Sequence, residues 1–330
     1  MEKRLQDWAR NRGYHVAWGP VELVGRARHE VAGRHSRGEL DETFYRTELA
    51  AVVGEGSPPE EGGRGVLGQP GNLGSLPGEG DRAVLVVAIP RPAWRVTFEV
   101  PEGPIGAILP PTYARYRATF EEIRQDLEAH ALPGARVEHL RAPLKMVAAH
   151  LGLVRYGRNN VTYAPGAGSY IQLCGYLTDA NLPLVAAGHG GPRLLDECEG
   201  CTLCRQVCPT QAIGADRVLL RAERCLTFIN ESPGDWPDWI PASAHRCLLG
   251  CLLCQRACPA NPKLHVEETA LRFSLRETQA LRESGSGGEG REETGIRSKL
   301  AWLGQSYAEP VLGRNLVAML AARRRRAVVR

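Results

Sequence analysis

The chain has 330 residues, of which 43% are hydrophobic and 24% charged, with a net charge of +4 and ten cysteines. These are the proportions of an ordinary globular protein, long enough for two domains or for one large domain with a smaller one embedded in it. They exclude a membrane span, because no run approaches the roughly 18 apolar residues one needs, and the charge is too small to argue by itself for a nucleic-acid partner.

The start, Met1-Glu2-Lys3-Arg4, leads into no apolar core of a signal peptide, so a soluble, cytoplasmic protein is expected. Leu5, Trp8 and Ala9 fall on one helical face. A second helical piece is expected around Phe44 to Val53, with Tyr14 to Leu23 supplying a short strand between the two. From Gly54 to Arg82 the composition turns to glycine, proline and glutamate. Such a stretch cannot bury enough apolar area to offset the entropy of ordering it, and a mobile surface loop is expected.

Ala83 to Ile89 is a continuous run of small and β-branched apolar residues ending at Pro90, which suits a strand in a sheet covered on both faces. Arg95 to Val100 alternates and is expected beside it in the same core. Pro110-Pro111 precedes a long helix, Thr112 to His130, with Tyr116, Phe120, Ile123 and Leu127 forming one apolar stripe. A helix over Leu144 to Leu151 leads into Gly152-Leu153 and Gly157-Arg158-Asn159-Asn160, and Gly166 to Ser169 opens a strand over Tyr170 to Leu177. Glycines this dense beside Arg-Asn-Asn fit a backbone that closely approaches a ligand, and equally a turn joining helix to strand.

Nine of the ten cysteines lie between Cys198 and Pro259. The run Cys198-x2-Cys201-x2-Cys204-x3-Cys208-Pro209 has the spacing of bacterial ferredoxins, in which three thiolates take three corners of a [4Fe-4S] cluster and the fourth turns to a different cluster. Cys251-x2-Cys254-x3-Cys258-Pro259 repeats the ending. Two clusters are therefore expected, one on Cys198, Cys201, Cys204 and Cys258, the other on Cys208, Cys251, Cys254 and one more. Cys225 and Cys247 both remain open by spacing. Zinc prefers two separated cysteine pairs per site, and disulfides imply an oxidising compartment, so cubane clusters fit this pattern better than either.

Beyond the cysteines, helices are expected over Val266 to Leu281, Ile296 to Leu303 and Pro310 to Ala322, with a linker at Ser284 to Gly295 and a basic block at Arg323 to Arg326. The whole reads as an α+β fold in three parts: an N-terminal α/β domain over 1–185, a two-cluster ferredoxin-like domain over 186–263, and a short helical cap over 264–330.

Several of these stretches together resemble the epoxyqueuosine reductase family, and more closely its short relatives with a double [4Fe-4S] domain. The resemblance runs from Gly152-Leu153, Gly157-Arg158-Asn159, Gly168-Ser169 and Leu177-Thr178-Asp179 through both cysteine runs and Arg224-Cys225-Leu226-Thr227, to Glu267-Glu268-Thr269 and Arg314-Asn315-Leu316. It implies a cobalamin-reductase-like N-terminal domain, and Cys225 rather than Cys247 as the eighth cluster ligand. It also implies cobalamin in a cleft faced by Gly152, Gly157, Arg158, Asn159, Gly168 and Ser169, held without the histidine of an Asp-x-His-x-x-Gly element, which this chain lacks. The implied activity is a reductase passing single electrons from a redox partner protein, through the clusters and a corrinoid, to a small or nucleoside-like substrate such as a modified tRNA base. The alternative is an electron-transfer protein serving a partner enzyme. One departure stands out: where the family has Asp-Tyr-His, this chain offers Thr112-Tyr113-Ala114 or Arg115-Tyr116-Arg117, and no Asp or Glu occurs between Gly103 and Phe120. Neither threonine nor arginine replaces a carboxylic acid as proton donor at neutral pH.

Overall fold

The computed structural model describes residues 1–55, 74–184, 191–215, 219–283 and 291–328. Helix α1 (Glu2–Asn11) buries Leu5, Trp8 and Ala9, the face its sequence spacing marks. Strand β1 (His15–Pro20) follows, then α2 (Glu22–Ser36), where no element was expected although Leu23, Val24, Ala27 and Val31 are buried at helical spacing. The next helix is broken into α3 (Glu42–Phe44), a π-helical turn over Tyr45–Leu49 and α4 (Ala50–Val53). The expected mobile loop falls mostly on residues 56–73, outside the described residues. At its far end Ser75 bridges to Leu140.

Strand β2 (Ala83–Pro90) is buried at every residue from Ala83 to Ile89. Successive side chains of a strand point to opposite faces, so both faces are covered, as the apolar run requires. Strands β3 (Ala93–Phe98) and β4 (Ile105–Leu109) come next, then α5 (Tyr116–Asp126) with a π-helical turn over Leu127–Ala131. Tyr116, Phe120, Ile123 and Leu127 are all buried. The helix starts four residues later than expected, because Arg115 adopts a left-handed conformation (φ 51°) and Tyr113 N–H closes a turn onto Pro110. Short β5 (Val137–His139), α6 (Leu144–His150), β6 (Arg155–Tyr156), β7 (Thr162–Tyr163) and β8 (Ile171–Thr178) complete this half. One sheet runs β1-β2-β8-β5, all antiparallel, and α1, α2, α5 and α6 close its core with Leu5, Leu23, Phe120 and Val147.

The cysteine region contributes three short helices, α7 (Leu203–Gln206), α8 (Leu226–Glu231) and α9 (Leu253–Arg256). After it the structure corrects the expected helix over Val266 to Leu281. Residues Val266–Phe273 form strand β9, parallel to β3, and helix α10 begins at Leu275. The strand is largely exposed, so its polar spacing mimics a helix surface, and pairing with β3 decides its state. The same sheet, β4-β3-β9, corrects a second expectation: β3 does not share the core of β2. It heads a separate core in which Phe98 and Phe273 stack at 4.7 Å under Leu300, Leu312 and Leu316. Those leucines come from α11 (Arg291–Leu303) and α12 (Glu309–Val328). The expected linker thus ends before Arg291, and the backbone of Arg323 to Arg326 continues a helix. Among the described residues no helix is long and apolar enough to cross a membrane.

Candidate metal centre

All ten cysteines are free thiols. Cys201, Cys204 and Cys208 recur as Cys251, Cys254 and Cys258 at a constant offset of 50 residues, and the backbone repeats with them. Gly200 and Gly250, each just before the first cysteine, both have positive φ, 66° and 63°, a conformation that suits glycine and turns the chain sharply into α7 and α9. The same offset carries Cys198 to Leu248, one residue beyond Cys247. Cys247 is therefore out of step with the first run.

A recess of about 330 Å³, open to solvent, is lined by Cys198, Cys201, Cys204 and Cys258 with Arg158 and Tyr163. Cys258, more than 50 residues away in sequence, thus meets the first run. The thiols surround a volume, and among the described residues no three His, Cys, Asp or Glu converge to hold one metal ion. Burial raises the Cys198 and Cys204 thiols above their ordinary pKa; the charges of Cys201 and Cys258 add to both, and that of Cys198 adds to Cys204. The Arg158 N–H points at Cys198 Sγ (3.3 Å) and opposes it.

A second group forms on the other side. Burial pushes Cys251 up to about 12, against the Leu253 N–H, with Cys247, Cys225 and Cys208 adding charge. Cys254 is raised by burial and then by Cys225, Cys251, Cys208 and Cys204. Cys225 is raised by burial, with Cys208 adding and the N–H groups of Thr227 and Phe228 opposing. Cys247 is raised by burial, with the Leu252 N–H and the charges of Arg256 and Arg246 opposing, and it adds charge to Cys251. Cys225 lies among the second group through its position at the head of α8. Cys254 neighbours Cys204 as well, so the two groups adjoin. Thiols must lose their protons to bind metal, and clustered N–H groups aimed at sulfur favour that charged state. The residues present fit two [4Fe-4S] clusters.

The glycine-rich segments are drawn to the same region. Gly157, Arg158 and Asn159 form one wall of the recess. Arg158 also donates to Cys198 O (3.1 Å), and buried Asn159 donates to the Tyr163 hydroxyl (2.9 Å), which bonds to Cys258. Ser169 N–H donates to Asn261 Oδ1 (2.7 Å) and its hydroxyl to Gln255 (2.9 Å). A Cβ on Gly157 would meet Asn159 Oδ1 at 2.5 Å and one on Gly168 would meet Asn261 Oδ1 at 2.3 Å. Close packing within the protein accounts for these two glycines. Gly152 is different: it ends the turn after α6 with positive φ, and no atom lies within 4 Å of where a side chain would begin. Of the polar groups on the six expected residues, those of Asn159 and Ser169 have protein partners, whereas Arg158 Nε is buried beside the recess with no hydrogen-bond partner among the described residues. No motif marks Tyr163, whose contact with Cys258 appears only when β7 is placed beside the cysteine region.

Residues 197–261 match the model of a 4Fe-4S double cluster binding domain. The chain is 31% identical over 124 residues to an epoxyqueuosine reductase of Staphylococcus aureus, a stretch covering 38% of this chain and only 31% of that relative. With the epoxyqueuosine reductase of Pseudomonas aeruginosa it shares 28% identity over 272 residues, 79% of this chain and 69% of the relative. A crystal structure of epoxyqueuosine reductase with an epoxyqueuosine-modified tRNA stem loop superposes with a TM-score of 0.61 at 16% identity, covering 97% of this chain and 81% of that one. Sequence and fold thus agree with the thiol geometry: the chain is similar to epoxyqueuosine reductases and is an α+β protein with a 4Fe-4S double cluster binding domain.

Proposed function

We propose that this chain is an iron-sulfur oxidoreductase that receives single electrons from a redox partner protein and relays them through two clusters to a small or nucleoside-like substrate. Residues 186–263 are the cluster-bearing unit. Cys198, Cys201, Cys204 and Cys258 hold the first cluster, and Cys208, Cys225, Cys251 and Cys254 the second. The observation that carries this reading is the interleaving: Cys258 sits with the first run and Cys208 with the second. Cubane clusters supply one-electron chemistry at low potential. The chain's own part is to bury the thiols, aim N–H groups at them and keep the two groups adjacent.

The substrate class rests on likeness to enzymes that act on epoxyqueuosine, and a tRNA base is its most specific form. A corrinoid belongs to this proposal as the quantity to be measured, and no step is routed through it. A second reading, an electron-transfer protein serving a partner enzyme, is favoured by the internal engagement of Asn159 and Ser169. Protein expressed with cobalamin and purified without air separates the two. Stoichiometric corrinoid bands beside about eight iron atoms per chain, four for each cluster, support the reductase; clusters alone support the electron carrier.

A further inference from the structure

Glu48 lies in the π-helical turn Tyr45–Leu49 and Glu231 ends α8, and each is only 5% exposed. The Tyr113 hydroxyl donates to Glu231 Oε1, and the Gly250 N–H bonds to the same carboxyl. The Oε2 atoms of both glutamates have no hydrogen-bond partner among the described residues. The groups facing the pair are few. Thr47 bonds to Glu48 from its own turn, and Tyr113 comes from the loop ahead of α5. From α12, Arg314 donates to the carbonyls of Ile229 and Gly234, and Asn315 to that of Asn230. The ring of Phe44 meets that of Phe228 edge-on at 5.4 Å, tying α3 to α8. Without a cation on them, two buried carboxyls hold protons: burial and the charge of Glu231 push Glu48 up to about 9, and burial pushes Glu231 up to about 8.

The pair is built into the second cluster's scaffold. Helix α8 starts at Cys225 and ends at Glu231. Gly250, which bonds to Glu231 through its N–H and accepts from Asn230 Nδ2 (2.8 Å) through its carbonyl, immediately precedes Cys251. We propose that Glu48 and Glu231, with Tyr113, form a proton-holding site coupled to the second cluster, so that an electron on that cluster and a proton on the pair favour each other. This rests on the ligand assignment given above. The coupling is electrostatic and reciprocal. When a one-electron donor such as a reduced viologen gives its electron to the oxidised cluster, no bond breaks and the cluster gains one negative charge. In the pH range where the pair is ionised, one carboxylate then takes one proton from water. At lower pH the proton is already in place and nothing further is bound.

The test is a spectroelectrochemical titration of the anaerobically reconstituted protein between pH 6.5 and pH 10, with the second cluster followed by its electron paramagnetic resonance signal. The parent potential is expected to be flat near neutrality and to fall with pH above about 8, because the reduced state then binds more protons than the oxidised one. A Glu48→Gln/Glu231→Gln double variant should match the parent at pH 7, stay flat and lie above it at pH 9.5. Tyr113→Phe removes a hydrogen bond that favours the carboxylate, so it should move the onset to higher pH, and it serves if the double variant does not fold. A parent potential independent of pH up to 10, a double variant that keeps the slope, or an unmoved onset in Tyr113→Phe would overturn the inference. Iron content, measured alongside, reports separately on the ligand assignment.

Discussion

On the proposed ligand set, a single hydroxyl would tune the first cluster. Tyr163 bonds to Cys258 and is held by the Asn159 amide at 2.9 Å. Hydrogen bonds to cluster sulfur stabilise the reduced state and raise the potential. Tyr163→Phe should therefore lower the potential of the first cluster by tens of millivolts with iron content unchanged, and an equal potential in parent and variant would remove Tyr163 from this role. The buried carboxyls make a stability prediction at the same scale. Their folded-state pKa values, about 9 for Glu48 and about 8 for Glu231, lie above the ordinary carboxylate value of 4.5. The folded state then binds more protons than the unfolded one between these limits, so stability is lost as pH rises from about 4.5 towards 8 or 9. Glu48→Gln, neutral throughout, should be more stable than the parent at pH 8 by about 1–3 kcal/mol and close to it at pH 5. Anaerobic thermal melts at the two pH values check this, and an equal difference at both would contradict it. None of these roles was visible beforehand: Glu48 and Glu231 carry no motif, and their burial depends on elements that meet only in the fold.

At the scale of elements, β9 is the clearest lesson in what local pattern leaves out. Glu267, Glu268 and Arg272 give the stretch a polar, helix-like surface, yet it adds a third strand to β3 and β4. The buried residue that fixes it is Phe273, fully covered and stacked on Phe98. Phe273→Ala should cost about 3–5 kcal/mol, seen as a lowered unfolding midpoint in denaturant. A change under about 1 kcal/mol, the range of volume-conserving core swaps, would mean that the second core does not depend on this pair. Elements whose pattern is uniform were legible: the all-apolar β2, the stripe of α5 and the first face of α1. Those decided by a distant partner, such as β9 and the late start of α5 where Arg115 N–H bonds to Leu303 O, were not.

For the whole molecule, the cysteine region joins two separate cores, one under the β1-β2-β8-β5 sheet and one under β4-β3-β9. Asn261 makes the join on one side: its side chain accepts from Ser169 N–H at 2.7 Å and donates to Ser169 Oγ at 2.9 Å and Gln255 O at 2.7 Å. Asn261→Ala should cost about 2–3 kcal/mol, since it leaves partners unsatisfied. The two cysteine runs were readable because their spacing is the chemistry itself, whereas spacing left Cys225 and Cys247 open and only the resemblance favoured Cys225; in the fold Cys225 lies near Cys208, Cys251 and Cys254, which supports the proposed assignment. The most direct measurement is iron and labile sulfide per chain, after anaerobic reconstitution, in Cys225→Ala and Cys247→Ala variants. We predict about eight iron atoms in Cys247→Ala, as in the parent, and about four in Cys225→Ala, where only the first cube keeps its full set of thiolates. The reverse result, or eight in both, would contradict the account.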